Sequence, residues 1–166
     1  MKWEVSLAKW REERGLVDPS EAYMDMMNEE EQEYKDAVAA NDWHEQVDAL
    51  CDQMVLTTNA LFVEGHGDKL QGAFSLIDNK PWVFGEDNRS MLMTMRSNIQ
   101  RQLIELGVIV DLAMKEVVKH ISCRKQDPIQ AYEWELNGPS GKWQKDKNQS
   151  ESELYQPNYL RCKRNK

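Results

Sequence analysis

The segment from Val47 to Val63 constrains the fold most, because it is apolar almost all round and two aspartates interrupt it. Asp48 and Asp52 stand four residues apart, so on a helix their side chains share one face. A helix that is hydrophobic on every side is typical of a protein interior. Ionised carboxylates are costly to bury unless something positive binds them. The segment therefore predicts a buried helix that carries a charged site, most simply a divalent metal site.

The preceding segment carries a second pair of carboxylates, Glu30 and Glu33. Glu30 falls on the same helical face as a set of apolar residues, namely Tyr23, Met26, Met27, Tyr34, Ala37 and Val38. The alternative interpretation is that the glutamates form a solvated acidic surface, as most acidic runs do. That alternative is weaker for Asp48 and Asp52, because aspartate is a poor helix former and the two charges repel each other.

Capping signals predict where the helices begin. Asp18-Pro19-Ser20-Glu21 and Asp42-Trp43-His44-Glu45 each place a capping residue before a helical pattern. Glu45 is either a metal ligand or only part of the second cap, and we favour the cap. Because so few residues separate these two helices, we expect an antiparallel hairpin. The helical patterns cover about 5–13, 19–41, 43–64 and 89–124, with a break at Gly107. The pattern predicts an all-α helical bundle built around this hairpin.

Composition limits the class of protein. A chain of 166 residues with a net charge of −8 is one domain and is not a generic nucleic-acid binder, so we expect no stable nucleic-acid partner. Three cysteines without metal-ligand spacing favour reduced thiols and a cytoplasmic protein. The sequence shows neither a signal peptide nor an apolar run that could cross a membrane. From Gly138 onward there are seven Lys/Arg against three Asp/Glu, which makes a basic tail on an acidic body.

The acidic motifs resemble those of a known superfamily. Glu29-Glu30-x-x-Glu33, followed by Asp48-Ala-Leu-Cys-Asp52, is similar to the all-α nucleotide pyrophosphohydrolases, which include MazG-like proteins, phosphoribosyl-ATP pyrophosphatases and dimeric dUTPases. Arg124-Lys125 stands where phosphoribosyl-ATP pyrophosphatase-like members carry a lysine, and 141–159 is similar to their Gly-Lys and proline/tyrosine tail. Ala49 differs, since the common motif has an acidic residue there. The short length and tail also look somewhat like those of phage-encoded members, which would place the protein in the host cytoplasm.

The resemblance implies a function and its residues. It implies a domain over 1–126 with an insertion at about 66–105, and a basic tail over 127–166 that packs on or near the active site. The implied reaction is Mg²⁺- or Mn²⁺-dependent cleavage of the α–β phosphoanhydride of a nucleoside triphosphate. The implied metal ligands and catalytic residues are Glu30, Glu33, Asp48 and Asp52, and the triphosphate would be bound by Lys125, Lys142 and Lys145. The resemblance also implies an obligate dimer or tetramer, so we expect a homo-oligomer.

Several alternatives stay open at this stage. The three lysines could belong to a solvated tail, and Trp43 and Trp82 could stack on a base or simply pack in the core. The main rival function is a non-catalytic acidic binding module that docks a basic partner or mimics nucleic acid. A ferritin-type di-iron bundle is disfavoured, because it needs a Glu-x-x-His pair that this sequence lacks.

Overall fold

The computed structural model describes residues 2–16, 20–63 and 87–165. These ranges contain six α-helices and no β-strand, which confirms the predicted all-α class. The helices are α1 (Trp3–Arg14), α2 (Ser20–Ala39), α3 (Trp43–Val63), α4 (Asp87–Glu105), α5 (Val110–Ser122) and α6 (Pro128–Asn137). Two 3₁₀ helices follow, Glu151–Glu153 and Tyr159–Cys162.

Helices α2 and α3 form the predicted hairpin. Three residues, 40–42, connect them, and Asn41 makes the turn with a left-handed φ of 52°. The Asp42 side chain accepts a hydrogen bond from the Glu45 backbone N–H at 3.1 Å, which confirms the predicted N-terminal cap. Helix α2 packs along α3. The hairpin therefore places one acidic helix directly against the other.

Helix α3 is the centre of the fold. It packs against α1, α2, α4, α5 and the second 3₁₀ helix. Its side chains are buried along most of its length, as the apolar pattern predicted, and fully covered members include Val47, Leu50, Cys51, Met54 and Leu61. Tyr159 and Cys162 of the second 3₁₀ helix belong to the same core. The carboxylates of α3 are thus held on the most tightly packed helix of the molecule.

The predicted break at Gly107 separates α4 from α5. Gly107 adopts a φ of 80°, which an L-residue rarely tolerates, and the chain turns there. The end of the chain returns to this turn: the Arg164 N–H donates to the Gly107 carbonyl at 2.7 Å, and the Ile109 N–H donates to the Cys162 carbonyl at 2.8 Å. The tail is therefore fixed to the helical body by backbone hydrogen bonds.

Helix α6 was not predicted from the sequence, where the tail from Asp127 onward reads as Pro-, Gly- and Ser-rich. It forms because Asp127 caps it by accepting from the Gln130 N–H at 3.1 Å and because Pro128 occupies its first turn. Trp134 of this helix and Trp143 beyond it are both half-buried, and Trp143 packs edge-on against Trp10 with ring centroids 6.0 Å apart.

Some predicted features lie outside the described residues. They are the capping signal at Asp18-Pro19, the segment 64–86 with Trp82, and hence most of the proposed insertion at 66–105. In the part of the chain that the structure describes, none of the helices has the length and apolarity needed to cross a membrane.

Candidate functional site

The hairpin brings the four predicted carboxylates within electrostatic range of one another. Glu30 and Glu33 lie on α2, and Asp48 and Asp52 lie on α3. Glu33 is exposed, whereas the other three are partly buried. The two helices are tied together beside them, since the Gln53 side chain donates to the Glu30 carbonyl at 3.2 Å. We call Glu30, Glu33, Asp48 and Asp52 the acidic cluster.

Burial and mutual repulsion perturb two members of the acidic cluster. Burial, then the charge and hydrogen bond of Glu33 and the charge of Asp48, raise the pKa of Glu30 to about 7. Burial, then the charges of Asp48 and Glu30, raise the pKa of Asp52 well above its usual range. Both effects disfavour the ionised carboxylates. A nearby positive charge would favour the ionised forms and so lower both pKa values.

The cluster fits a hard divalent cation in its donor chemistry. Carboxylate oxygens are ligands that Mg²⁺ prefers, and the buried Oε2 atom of Glu30 has no hydrogen-bond partner. Within residues 2–16, 20–63 and 87–165, no group of three or more His, Cys, Asp or Glu side chains is arranged to hold a metal ion. Mg²⁺ commonly uses one or two carboxylates together with waters and substrate phosphates. The four carboxylates therefore match Mg²⁺ in donor type, although their side chains are not gathered into such a group in the described residues.

Arg124 is a basic residue that acts directly on the cluster. Its positive charge lowers the pKa of Asp52, opposing the effects of burial and of the other carboxylates. Arg124 follows the end of α5, and its carbonyl accepts a hydrogen bond from the Arg14 side chain at 3.4 Å. Arg14 also donates to the Ser122 carbonyl at 3.2 Å. Helix α1 therefore braces the segment that carries Arg124.

The three predicted substrate lysines lie on the tail side of this segment, and all are exposed. The ammonium group of Lys125 is 3.9 Å from the Glu153 carboxylate. The Lys142 carbonyl accepts from the Gln130 side chain at 2.7 Å, and Lys145 pairs with Gln126 in an isolated antiparallel bridge. These contacts fix the backbone at Lys142 and Lys145 while leaving their side chains at the surface.

The tail also reaches the acidic cluster through Tyr159. The Tyr159 hydroxyl donates to Asp48 Oδ1 at 2.6 Å, and the tyrosine has no exposed surface. Its ring packs against the imidazole of His44 with centroids 5.0 Å apart. Trp43 makes other contacts: its indole N–H donates to the Leu106 carbonyl at 3.0 Å, and Lys163 Nζ lies 4.2 Å from its ring centroid. For Trp43 these contacts favour a structural role over base stacking.

Sequence reasoning missed Tyr159, His44 and Arg124 as members of this site. Arg124 and the tail segment that contains Tyr159 entered only through the resemblance to the superfamily, and His44 was assigned no functional role. Helical spacing shows which residues of one helix share a face, but it cannot show that residue 159 returns to residue 48. No local signal in the sequence marks Tyr159 as buried, since the apolar residue beside it, Leu160, is 66% exposed.

A separate groove lies between α1 and α5. Its volume is about 670 Å³, and its lining includes Trp3, Ser6, Lys119 and Tyr155. None of the four carboxylates lines it. The acidic cluster therefore does not lie in this groove.

Comparison with known proteins finds no family model that matches this chain and no curated protein or solved structure similar to it.

Proposed function

We propose that this protein is a Mg²⁺-dependent nucleoside triphosphate pyrophosphohydrolase, which converts a ribo- or deoxyribonucleoside triphosphate to the monophosphate and pyrophosphate. The observation that carries the proposal is the acidic cluster on the α2–α3 hairpin. Four carboxylates lie within electrostatic range of one another there, and the free-energy cost of ionising them is reflected in the raised pKa values of Glu30 and Asp52. Such a cost is typical of functional sites, where a ligand compensates it.

Each carboxylate of the cluster has a place in this proposal. Glu30, Glu33, Asp48 and Asp52 would hold the cation, and Mn²⁺ could replace Mg²⁺. When bound, the cation would neutralise phosphate charge and lower the pKa of a water molecule. Glu30, whose pKa is raised to about 7, must lose its proton before it can act as a ligand, so cation binding competes with protonation. We therefore expect affinity for the cation to rise with pH through the region near 7.

Basic residues would hold the triphosphate over the cluster. Arg124 is suited to this role because its charge already acts on Asp52, and a guanidinium can bind phosphate oxygens in a bidentate way. Lys125, Lys142 and Lys145 would contribute charge from the exposed side. In the reaction a water oxygen would form a bond to the α-phosphorus and release its proton to solvent, the bond from that phosphorus to the α–β bridging oxygen would break, and the electron pair would leave with pyrophosphate.

The protein would act as a cytoplasmic homo-oligomer, because one hairpin cannot enclose a nucleotide. Exposed apolar side chains support association between copies. Ile129, Tyr132 and Leu136 lie on one face of α6 and are 71%, 64% and 64% exposed. Such a stripe is typical of a surface that another chain covers.

The decisive experiment is pyrophosphate release from a panel of ribo- and deoxyribonucleoside triphosphates. It is run with Mg²⁺, with Mn²⁺ and with EDTA, on the wild type and on Asp52→Asn. We expect metal-dependent release from one or a few substrates and none from Asp52→Asn. Asp36→Asn is the matched control, since Asp36 is an exposed carboxylate of the same hairpin that only accepts a hydrogen bond from Gln32.

Two results would contradict the proposal. The first is full activity of Asp52→Asn, which would remove the acidic cluster from the reaction. The second is a folded wild type that releases no pyrophosphate from any substrate. In that case the fold would be better interpreted as an acidic helical binding module, and capture of a basic partner would be the next experiment.

A further inference from the structure

The hydrogen bond from Tyr159 to Asp48 links the tail to the acidic cluster across 111 residues of sequence. At 2.6 Å it is a short O–H···O hydrogen bond, in which the tyrosine hydroxyl donates and the carboxylate oxygen accepts. An ionised aspartate offers about four lone-pair positions, so this bond leaves Asp48 with acceptor capacity for a cation. The bond therefore holds the Asp48 carboxylate in place and leaves lone pairs that could bind a cation.

Tyr159 itself is held rigidly. It begins the second 3₁₀ helix, which is tied to the turn before α5 by the Ile109 N–H bond to the Cys162 carbonyl at 2.8 Å. Its ring has no exposed surface and packs against His44. A side chain held on several sides in this way has a single available position. The hydroxyl is therefore a fixed point toward which Asp48 is oriented.

The hydroxyl also stays protonated. Burial, then the negative charges of its neighbours, keep the pKa of Tyr159 above its ordinary value. The phenol therefore remains available as a hydrogen-bond donor to Asp48.

We propose that Tyr159 is a positioning residue for the metal site: its hydroxyl sets the orientation in which Asp48 binds the divalent cation. The inference rests on the proposed function, because it needs the acidic cluster to bind a cation. Residues that hydrogen-bond to metal ligands typically contribute about 10- to 100-fold to metal affinity or activity. Loss of the Tyr159 hydroxyl should weaken metal binding by about this factor.

The test is the dissociation constant for Mn²⁺, measured without substrate by the electron paramagnetic resonance signal of free Mn²⁺. Tyr159→Phe removes only the hydroxyl, and we expect it to raise the dissociation constant at least about 10-fold. Tyr155→Phe is the matched control, because Tyr155 is in the same tail and donates to the Glu116 carboxylate outside the cluster. Its dissociation constant should equal that of the wild type. In the Asp48→Asn background, Tyr159→Phe should add no further loss.

A second measurement leaves the wild-type packing intact and so does not depend on the variant folding. With 3-fluorotyrosine placed at position 159 or at position 155, the ¹⁹F resonance of residue 159 should shift when Mg²⁺ is added, and that of residue 155 should not. Tyr159→Phe that binds Mn²⁺ like the wild type, or an unshifted resonance at 159, would overturn this inference alone. A wild type that binds no Mn²⁺ would overturn the inference together with the proposed function.

Discussion

Glu30 is the residue at which burial and neighbouring charge act most clearly in the same direction. Its pKa is raised from 4.5 to about 7, first by burial and then by Glu33 and Asp48. Its Oε2 atom is buried without a hydrogen-bond partner. The metal-free protein therefore holds a carboxyl group that prefers a proton at the pH where a cation would need it ionised.

The pH dependence of stability follows from this shift. Between pH 4.5 and about 7 the folded state binds more protons at Glu30 than the unfolded state does, so the free energy of unfolding falls as pH rises through that range. Thermal unfolding in EDTA should give a lower Tm at pH 8 than at pH 5, and Glu30→Gln should reduce that difference. Glu12→Gln, an exposed change on α1, should leave it unchanged. An equal pH dependence in Glu30→Gln and the wild type would contradict the assignment.

At the scale of residues, the sequence predicted the carboxylate pairs but not the residues from later in the chain that interact with them. The spacing of Asp48 and Asp52, and the apolar helix around them, predicted a shared and costly face. Nothing local to residues 124 or 159 indicates that they approach this face, because that depends on how α5 and the tail pack. That Arg124 and not Lys125 acts on Asp52 depends on how the end of α5 packs and not on the charge pattern.

At the scale of helices, a buried ion pair joins α1 to α4. Arg96 and Glu4 are 0% and 1% exposed at the side chain, and their nearest N and O atoms are 3.2 Å apart. Arg96 also donates to the Thr58 hydroxyl on α3 at 3.2 Å. Three helices therefore meet at one guanidinium group.

Breaking this pair should be far more costly than breaking an exposed one. Arg96→Met leaves the Glu4 charge buried and uncompensated, which typically costs about 3–5 kcal/mol, or a fall in Tm of about 10 °C. Arg101→Met is the matched control, because Arg101 and Glu105 form an exposed pair at 4.0 Å on the same helix; it should cost at most about 1 kcal/mol. Adding Glu4→Gln to Arg96→Met should restore part of the loss. Equal effects of the two arginine changes would show that burial of the pair does not matter.

The helices themselves were predictable where caps and glycines mark their ends. The cap at Asp42 and the break at Gly107 are both present where the sequence placed them. The exceptions have physical causes. Helix α6 depends on Asp127 and Pro128 inside a segment whose overall composition is that of a loop. Val38 was assigned to the apolar face of α2, yet it is 48% exposed, whereas Ala37 beside it is buried.

At the scale of the whole molecule, the tail belongs to the core of the body it follows. Tyr159 and Cys162 are buried with the residues of α3, and Trp143 packs on Trp10 of α1. Removing the tail should therefore lower the free energy of unfolding, and its main effect is on stability and not on substrate binding.

A chain that ends at Asn137 should show this. Loss of one buried aromatic side chain alone costs about 3–5 kcal/mol, which is a large share of the 5–15 kcal/mol of a typical domain. We expect the truncated chain to unfold without a cooperative transition in circular dichroism. A chain that ends at Arg164 keeps the tail contacts and should unfold like the full chain. A cooperative transition at the wild-type temperature in the shorter chain would show that the tail is dispensable for the core.

The distance in sequence between Asp48 and Tyr159 also sets an order of events during translation. The hairpin, with all four carboxylates, is synthesised well before Tyr159, which follows Asp48 by 111 residues. During that interval the acidic cluster exists without the hydroxyl that hydrogen-bonds to Asp48. A premature stop codon in the last segment would yield chains that have all four carboxylates and lack this hydrogen bond.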